Sequence, residues 1–522
     1  SGALLGVIGH RAVQANQGFS YMVSNGNEMD VDLCDFTEFF LEDENTRVVA
    51  VLMEGLKNGR RFLQLAERAH ELGKRIVVLK VGKSERGALT TMAHTARMAG
   101  AGEVYEAAFR QYGIIATDTV ETFLGSAQLA AHQPVPRAGR LVVMTSSGAG
   151  ASLMADKASE YGIELADISA QAQARIPQRR TAILTNPFDT AGTSRAPGFL
   201  QAACEAFAED PANDCMLMYM GPLAVRHEYG RQFAAAAEKF GKTAAAIINL
   251  SESDMRDIFQ EKHIPVYDAA TDACFKMLRG YIDYGQFLER RRAAPRPLLA
   301  PVTPRAGAEA ILRAHQEQGM LPHEATVALL GQYGFQCAAS FAVESEREAK
   351  AAALKLGYPV ILKGVVPNVA HRNEAGLVSR KIANDTELAR EFAALAGKAD
   401  AQTVEKFIDH DLEVILGMKY DATFGPVLLC GLGGIFTEVL KDFALRLAPL
   451  SKADVADMLS SLRAFPVLNK ASGSIDLLSD ALSRLSDLAM ELNGRIHAVD
   501  INPIALGAQL SGAVILDAKV HI

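Results

Sequence analysis

Hydrophobic positions along the chain switch between short unbroken runs and longer stretches with helical spacing. RVVAVLME (47–54) is an apolar, strand-like run, and NGRRFLQLAERAHELG (58–73) carries its apolar residues at helical intervals. RIVVLKVG (75–82) is strand-like again, and YEAAFRQYG (105–113) reads as a helix leading into IIAT. Strands that are apolar throughout, separated by helices, predict a parallel sheet covered on both faces. The pattern restarts at RLVVMTSSGAGASLMADKASEYG (140–162), which reads as strand, Gly/Ser loop and helix. CMLMYMGP (215–222) and TAAAIINL (243–250) supply further strands. Two successive flavodoxin-like, doubly wound domains are expected, over residues 1–135 and 136–290.

The segment RRRAAPRPLLAPVTPRAG (290–307) is rich in proline and arginine and has no apolar period, so a linker is expected over 291–307. Beyond it the pattern becomes α+β. A helix (EATVALLGQYG) and a helix-plus-strand unit (346–364) precede the strand-and-turn series TVEKFID, LEVILGMKYD, GPVLLCGLGG and FTEVLKD. Two closing strand-like segments, RIHAVDINPIAL and GAVILDAKV, complete a third unit over 308–522.

Length and charge narrow the class. A chain of 522 residues is too long for one core. Lys plus Arg number 53 against 61 Asp plus Glu, a net charge of −8 that argues against nucleic acid or an anionic membrane as partner. The six cysteines are scattered without a CxxC pair, which fits a reducing, cytoplasmic setting and not a structural zinc site. No apolar run approaches the roughly 18 residues of a membrane span, and no signal peptide is expected. The opening SGALLGVIGHRA reads as a turn and a helix with no strand leading in and no initiator Met. The natural N-terminus is therefore expected upstream.

Several positions could carry chemistry. His94 lies in TMAHTARMAG (91–100), after a strand and a turn. Alone, it reads as a solvated or hydrogen-bonded structural histidine. Ser1-Gly2-Ala3 and Ser146-Ser147-Gly148-Ala149-Gly150 are Gly/Ser turns at helix N-termini, where free N–H groups and the helix dipole suit an oxyanion or phosphate. Glycine in such a turn also serves geometry alone. Glu54 ends a strand on the side of a parallel sheet where ligands bind, and could hold an imidazole; it could also be an ordinary turn residue. Lys363 ends PVILK and suits a polyphosphate, or snorkels from a strand end. Asn502 and Asp517 are hard oxygen donors on two strand-like segments, suited to Mg²⁺ carried by a nucleotide. Asp500, two residues before Asn502, shares its strand face. His371, in NVAHRNEAG, is a second imidazole among turn residues.

The ordered set of these motifs resembles the NDP-forming acyl-CoA synthetases, the superfamily of succinyl-CoA synthetase and the ADP-forming acetyl-CoA synthetases. SGAL, VSNGNEMDVD, DENTRVVAVLMEGLKNGRRF and AHTARMAG follow the family's order in the first domain. GYPVILKG, HRNEAG, FGPVLLCGLGG, TEVLKDFALRLAPL and VDINPI look like its ATP-grasp part. The resemblance implies an α/β chain of two flavodoxin-like parallel-sheet domains followed by an ATP-grasp domain. It implies an ADP-forming acid–CoA ligase that uses ATP, Mg²⁺ and CoA and acts through an acyl phosphate and a phosphohistidine.

Residue by residue, His94 matches the phosphorylated histidine and Glu54 the glutamate that orients it. Asp500 matches the acidic residue that orients it at the nucleotide site, and His371 a second phosphate-relaying histidine. The two Gly/Ser turns match the paired helix N-termini that grip the phosphohistidine. Lys363, Glu405, Lys406, Phe407 and Glu413 match the ATP-binding positions, and Asn502 and Asp517 the metal ligands. One departure stands out. Where the family usually reads SHTGALAG, this chain has Ala96 and Arg97 after His94-Thr95, a bulky cation close to the imidazole.

The resemblance also implies a Rossmann-like CoA-binding domain ahead of residue 1; without it the chain should handle phosphate yet turn over poorly with CoA. The acid is open among acetate, branched, dicarboxylic and aromatic acids, and Phe19, Tyr21 and Met22 could line a larger acyl pocket or belong to a core. A homodimer is suggested by the resemblance alone. Two other readings stand beside this one: an ATP-grasp carboxylate–amine ligase that needs no phosphohistidine, and a regulatory homologue without catalysis.

Overall fold

The computed structural model describes residues 2–83, 102–177, 185–190, 198–221, 225–249, 253–269, 271–294, 303–365, 376–399, 401–433, 442–470, 473–507, 509–510 and 512–522. The chain divides into two compact units, Ser1–Arg296 and Pro297–Ile522.

The first unit opens with α1 (Gly2–Gln14) and α2 (Leu33–Glu42), then β1 (Val48–Met53), α3 (Gly59–Glu71), β2 (Arg75–Lys80), α4 (Gly102–Gln111), β3 (Ile115–Thr117) and α5 (Val120–His132). The three strands pair in parallel in the order β1-β2-β3. Helices cover both faces, which is why β2 is buried from Ile76 to Lys80 and apolar up to its last residue. Asp32 caps α2 by accepting from the Cys34 and Asp35 N–H groups, while Asp35 reaches back to the Asp32 N–H. Such a capping box contributes about 1 kcal/mol. Arg61 on α3 then ties Asp35 and Glu38 of α2, each at 2.6 Å.

The second sheet holds β4 (Leu141–Thr145), β5 (Phe188–Asp189), β6 (Cys215–Met220), β7 (Thr243–Ile248) and β8 (Val266–Asp268), all parallel in the order β5-β4-β6-β7-β8. Its first strand therefore sits second, the flavodoxin-type 2-1-3-4-5 arrangement. α6 (Gly148–Glu160) follows β4, and α7 (Ala170–Arg175), α8 (Phe199–Glu209), α9 (Arg226–Lys239), α10 (Ser253–Gln260) and α11 (Thr271–Ala293) complete the unit. One apolar cluster joins the two sheets: Val77, Leu79 and Ile115 from the first, Leu141, Val143 and Leu217 from the second, with Phe123 of α5 and Leu278 and Ile282 of α11. α11 carries helix through Ala293, so the first three residues of the 291–307 segment are helical.

The second unit has α12 (Ala306–Ala314), α13 (His323–Gln332), β9 (Gln336–Cys337), β10 (Ser340–Val343), α14 (Glu346–Leu356), β11 (Val360–Val365), α15 (Asp385–Leu395) and β12 (Ala401–Lys406). Then come β13 (Leu412–Asp421), β14 (Gly425–Leu432), β15 (Phe443–Leu447), α16 (Lys452–Ser460), α17 (Phe465–Lys470), α18 (Ser474–Glu491), β16 (Ala498–Leu506), β17 (Val514–Ile515) and β18 (Ala518–His521). Strands β10-β12-β11 form a small antiparallel sheet. A larger sheet runs β15-β14-β13-β16-β17-β9, with β18 also on β16. This is a mixed α/β unit built on two sheets. None of the described helices is long and apolar enough to cross a membrane.

Candidate active site

In the second unit Lys363 sits on β11 and is buried. Its register partner on β12 is Thr403, which puts Glu405 diagonally across on the same face. The Lys363 Nζ lies 2.6 Å from the Glu405 Oε2, and Glu405 is also buried. The same ammonium donates to the Leu516 carbonyl at 2.8 Å, so one side chain ties the small sheet to the larger one. One residue on, the Asp517 carbonyl accepts from the Asn502 N–H at 3.0 Å. Lysine, glutamate, asparagine and aspartate are thus drawn together by strand pairing.

Asn502 and Asp517 fit Mg²⁺ as a donor set. Both offer oxygen, the Asn502 N–H donates to the Asp517 carbonyl so the two residues are neighbours, and two donors leave room for phosphate oxygens. No cluster of three or more His, Cys, Asp or Glu stands among the described residues, so a metal held wholly by carboxylates and imidazoles is not built there. Asp500 pairs across the strands with Lys519 and lies on the open side of β16 with Asn502. Partial burial raises its carboxyl above the ordinary range; Lys519 and His521 oppose the rise, and Asp517 adds to it.

The remaining ATP-binding expectations fall on the same stretch but differ in what they touch. The Lys406 Nζ donates to the Gly357 carbonyl at 2.7 Å, a contact with the turn after α14. The Phe407 N–H donates to the Pro359 carbonyl at 3.2 Å, and its ring lies 4.6 Å beneath the Lys381 ammonium. Glu413 on β13 lies 3.1 Å from the His410 Nε2. This contact raises the His410 imidazole above its usual value against the opposing effect of burial.

In the first unit Glu54 follows β1 directly, on the C-terminal side of the sheet. Its carbonyl accepts from the Lys80 Nζ at 3.0 Å. Lys80 ends β2, is 4 % exposed, and lies 4.9 Å over the Tyr105 ring, whose hydroxyl accepts from the Leu56 N–H at 3.3 Å. Lys80 and Tyr105 together clamp the Glu54–Leu56 turn. Burial pushes the Lys80 ammonium down to about 8, with Lys83 adding to the fall and Glu54 opposing it. Neither residue was expected at the site. The available signal was a lysine closing the apolar run IVVL (76–79).

Of the two Gly/Ser turns, Gly2 and Ala3 form the exposed first turn of α1. The second is better defined. The Ser147 Oγ accepts from the Gly150 N–H at 3.1 Å and caps α6, and the Ser147 N–H donates to the Thr145 Oγ1 at 3.2 Å. Ser146 leads in from β4 and Ala149 is exposed in the first turn. A Cβ on Gly148 would stand 3.4 Å from the Asp189 Oδ2, so a carboxylate borders the turn. On Gly150 it would stand 2.6 Å from the Tyr219 ring. Ser1, His94 and His371 lie outside the described residues.

Comparison with known proteins adds the family. Residues 1–130 match the succinyl-CoA ligase-like flavodoxin domain, and residues 313–522 match the ATP-grasp domain. The β subunit of the ADP-forming acetate–CoA ligase I of Pyrococcus furiosus is 34% identical over 225 residues, 41% of this chain and 96% of that subunit. The chain belongs to the NDP-forming acyl-CoA synthetases. Within that family, the ADP-forming acetate–CoA ligase I of Archaeoglobus fulgidus is 29% identical over 540 residues, 100% of this chain and 76% of the relative. Among solved structures, the dinucleotide-forming acetyl-coenzyme A synthetase 1 of Ca. Korarchaeum cryptofilum, in complex with phosphate and ADP, aligns with a TM-score of 0.51 at 26% identity. That alignment covers 57% of this chain and 66% of the other. These synthetases are ADP-forming acid–CoA ligases, and the buried lysine–glutamate pair lies within the segment that matches ATP-grasp.

Proposed function

We propose that this chain makes an acyl-CoA from a carboxylic acid, ATP and CoA, releasing ADP and phosphate. The observation that carries the reading is the convergence of Lys363, Glu405, Asn502 and the Leu516–Asp517 segment in a chain of this family. In the proposed sequence the γ-phosphoryl group of ATP moves to the His94 imidazole and then to a carboxylate oxygen of the acid. The CoA sulfur attacks the resulting acyl phosphate at its carbonyl carbon; the C–O bond to phosphate breaks and the thiol proton is released. Histidine suits the carrier role because neutral imidazole is nucleophilic near pH 7 and phosphohistidine remains a good donor.

Each residue has a part in that reading. Lys363, steered by Glu405, sets a point charge against the ATP phosphates. Asn502 and Asp517 would hold Mg²⁺, which when bound supplies charge neutralisation at the transferred phosphoryl group. Lys406, Phe407 and Glu413 line the nucleotide side, and Asp500 and His371 receive the histidine segment there. Glu54 orients His94 at the distant site. The turns at Ser1-Gly2-Ala3 and Ser146–Gly150 offer N–H groups to its phosphoryl oxygens. A cytoplasmic homodimer is part of the proposal, and light scattering on the purified chain reads its mass.

Incubation with Mg²⁺ and γ-labelled ATP, without acid or CoA, tests the chemistry. The expected result is acid-labile, alkali-stable label on the protein that disappears in His94→Asn and in Lys363→Ala. Label that survives His94→Asn moves the carrier to His371. Folded protein that binds ATP yet takes no label favours a carboxylate–amine ligase or an inactive homologue. Chasing the label with acetate, branched, dicarboxylic and hydroxycinnamic acids then identifies the substrate.

A further inference from the structure

Residues 407–411 carry the chain from β12 of the small sheet to β13 of the larger one. On that link the imidazole of His410 stands between two oxygens. Its Nδ1 lies 2.8 Å from the Ile408 carbonyl, and its Nε2 lies 3.1 Å from the Glu413 Oε1. A carbonyl and a carboxylate both accept, and neither donates. A neutral imidazole has one N–H and can satisfy only one of them, whereas the imidazolium donates from both nitrogens. His410 is therefore a cation where this geometry holds. Its surroundings agree. The Glu413 contact is the main influence raising its titration, the Ile408 carbonyl and Asp409 add to the rise, and burial opposes it. Asp411 lies against Gly507 at the end of β16, a residue that brings no charge.

The backbone of Glu413 is fixed on both sides. Ala505 of β16 is its register partner, and its carbonyl accepts from the Gly433 N–H at 2.9 Å. Val414, Leu416 and Met418 turn into the apolar core with Leu482 and Leu485 of α18, so Glu413 projects from the opposite face of the sheet. Asp500 and Asn502 share that face, since Val499 and Ile501 beside them enter the same core. With its backbone held and its side chain 38 % exposed, the direction of the Glu413 carboxylate is set by what holds its Oε1, which is His410.

A nucleotide on this face offers few partners to a carboxylate. Its phosphates repel one, and they are drawn instead to Lys363 and to a metal held by Asn502 and Asp517. The ribose hydroxyls are neutral donors, and acidic side chains take them in other nucleotide sites.

Building on the nucleotide reading above, on which this step depends, we propose that His410 in its charged form is a positioning residue that turns Glu413 to accept from the ribose hydroxyls of the nucleotide. A neutral His410 must give up one of its two acceptors. When it keeps the Ile408 carbonyl, Glu413 is released and the hold on the ribose weakens. Ribose recognition thus falls as pH rises through the His410 titration, while the charge of Lys363 on the phosphates stays.

The test is calorimetric titration of the full chain with ADP and with 2′,3′-dideoxy-ADP, both with Mg²⁺, from about pH 5.5 to about pH 9. The ratio of the two affinities cancels the ionisation of the phosphates, which the two ligands share. In the parent, ADP should bind about tenfold tighter than the dideoxy form at the acid end, and the ratio should fall toward one at the alkaline end. His410→Ala should give the low ratio at every pH. His410→Arg, whose guanidinium has donors for both oxygens at any of these pH values, should keep the ratio near its acid-end value throughout. A parental ratio that is flat with pH, or a pH dependence that persists in His410→Ala, would overturn the proposal and leave the nucleotide site standing. Failure of the parent to bind ADP at any pH would remove the nucleotide site itself, and the role of His410 with it.

Discussion

The Lys363 Nζ and the Glu405 Oε2 stand 2.6 Å apart, with 9 % and 7 % of the two side chains exposed. A charge pair so enclosed is costly to break, since removing one partner leaves the other without a counter-charge in a place with little water. Glu405→Ala should destabilise the second unit by about 3–5 kcal/mol. Replacing both residues, as Lys363→Met with Glu405→Leu, should restore much of that stability without restoring nucleotide affinity. Denaturant unfolding beside calorimetric titration with ADP separates the two effects. A double variant that binds ADP as the parent does would remove the pair from the nucleotide site.

Lys80 sets a pH dependence. Its ammonium, about 10.5 in an unfolded chain, is lowered to about 8 in the fold, chiefly by burial. Between those values the unfolded chain holds a proton that the folded chain has released, so stability from this group rises with pH over that interval. The gain amounts to about 3 kcal/mol when fully developed. Lys80→Met should abolish it, and the difference in unfolding free energy between parent and variant should shift in the parent's favour from pH 8 to 10.5. A difference that stays flat across that range would mean that Lys80 titrates at its ordinary value.

Much of this arrangement was legible in the residues, and the missing part has a physical cause. The runs VVAVLM, RIVVLK, LVVMT and CMLMYM announced buried parallel strands because both faces need apolar residues. Lys363, Asn502 and Asp517 were legible as types suited to phosphate and metal. The lysine's choice of Glu405 was not, because it is made by the register of β11 against β12. Successive strand residues point to opposite faces, so the contact of the Lys406 ammonium with the Gly357 carbonyl is likewise a matter of register and turn placement. Lys80 was passed over because burial, not type, makes it unusual.

The turn after β4 is held to a narrow geometry, and this can be tested by adding one carbon. A Cβ on Gly150 would lie 2.6 Å from the Tyr219 Cε1, 2.8 Å from its Cδ1 and 3.3 Å from the Ser147 Cβ. Tyr219 belongs to β6, whose backbone is paired on both sides by β4 and β7, so relief has to come from rotation of its ring or from the first turn of α6. Gly150→Ala should therefore cost about 1–3 kcal/mol through overpacking and tilt the first turn of α6. Ser147→Ala removes only the cap hydrogen bond to the Gly150 N–H and should cost about 1 kcal/mol. If the turn grips the phosphohistidine, both variants should accept label from ATP at the parental rate but pass it to the acid more slowly, Gly150→Ala the more severely. Chasing labelled protein with the acid substrate reads that step directly. Equal discharge rates in all three proteins would leave the turn a structural element alone.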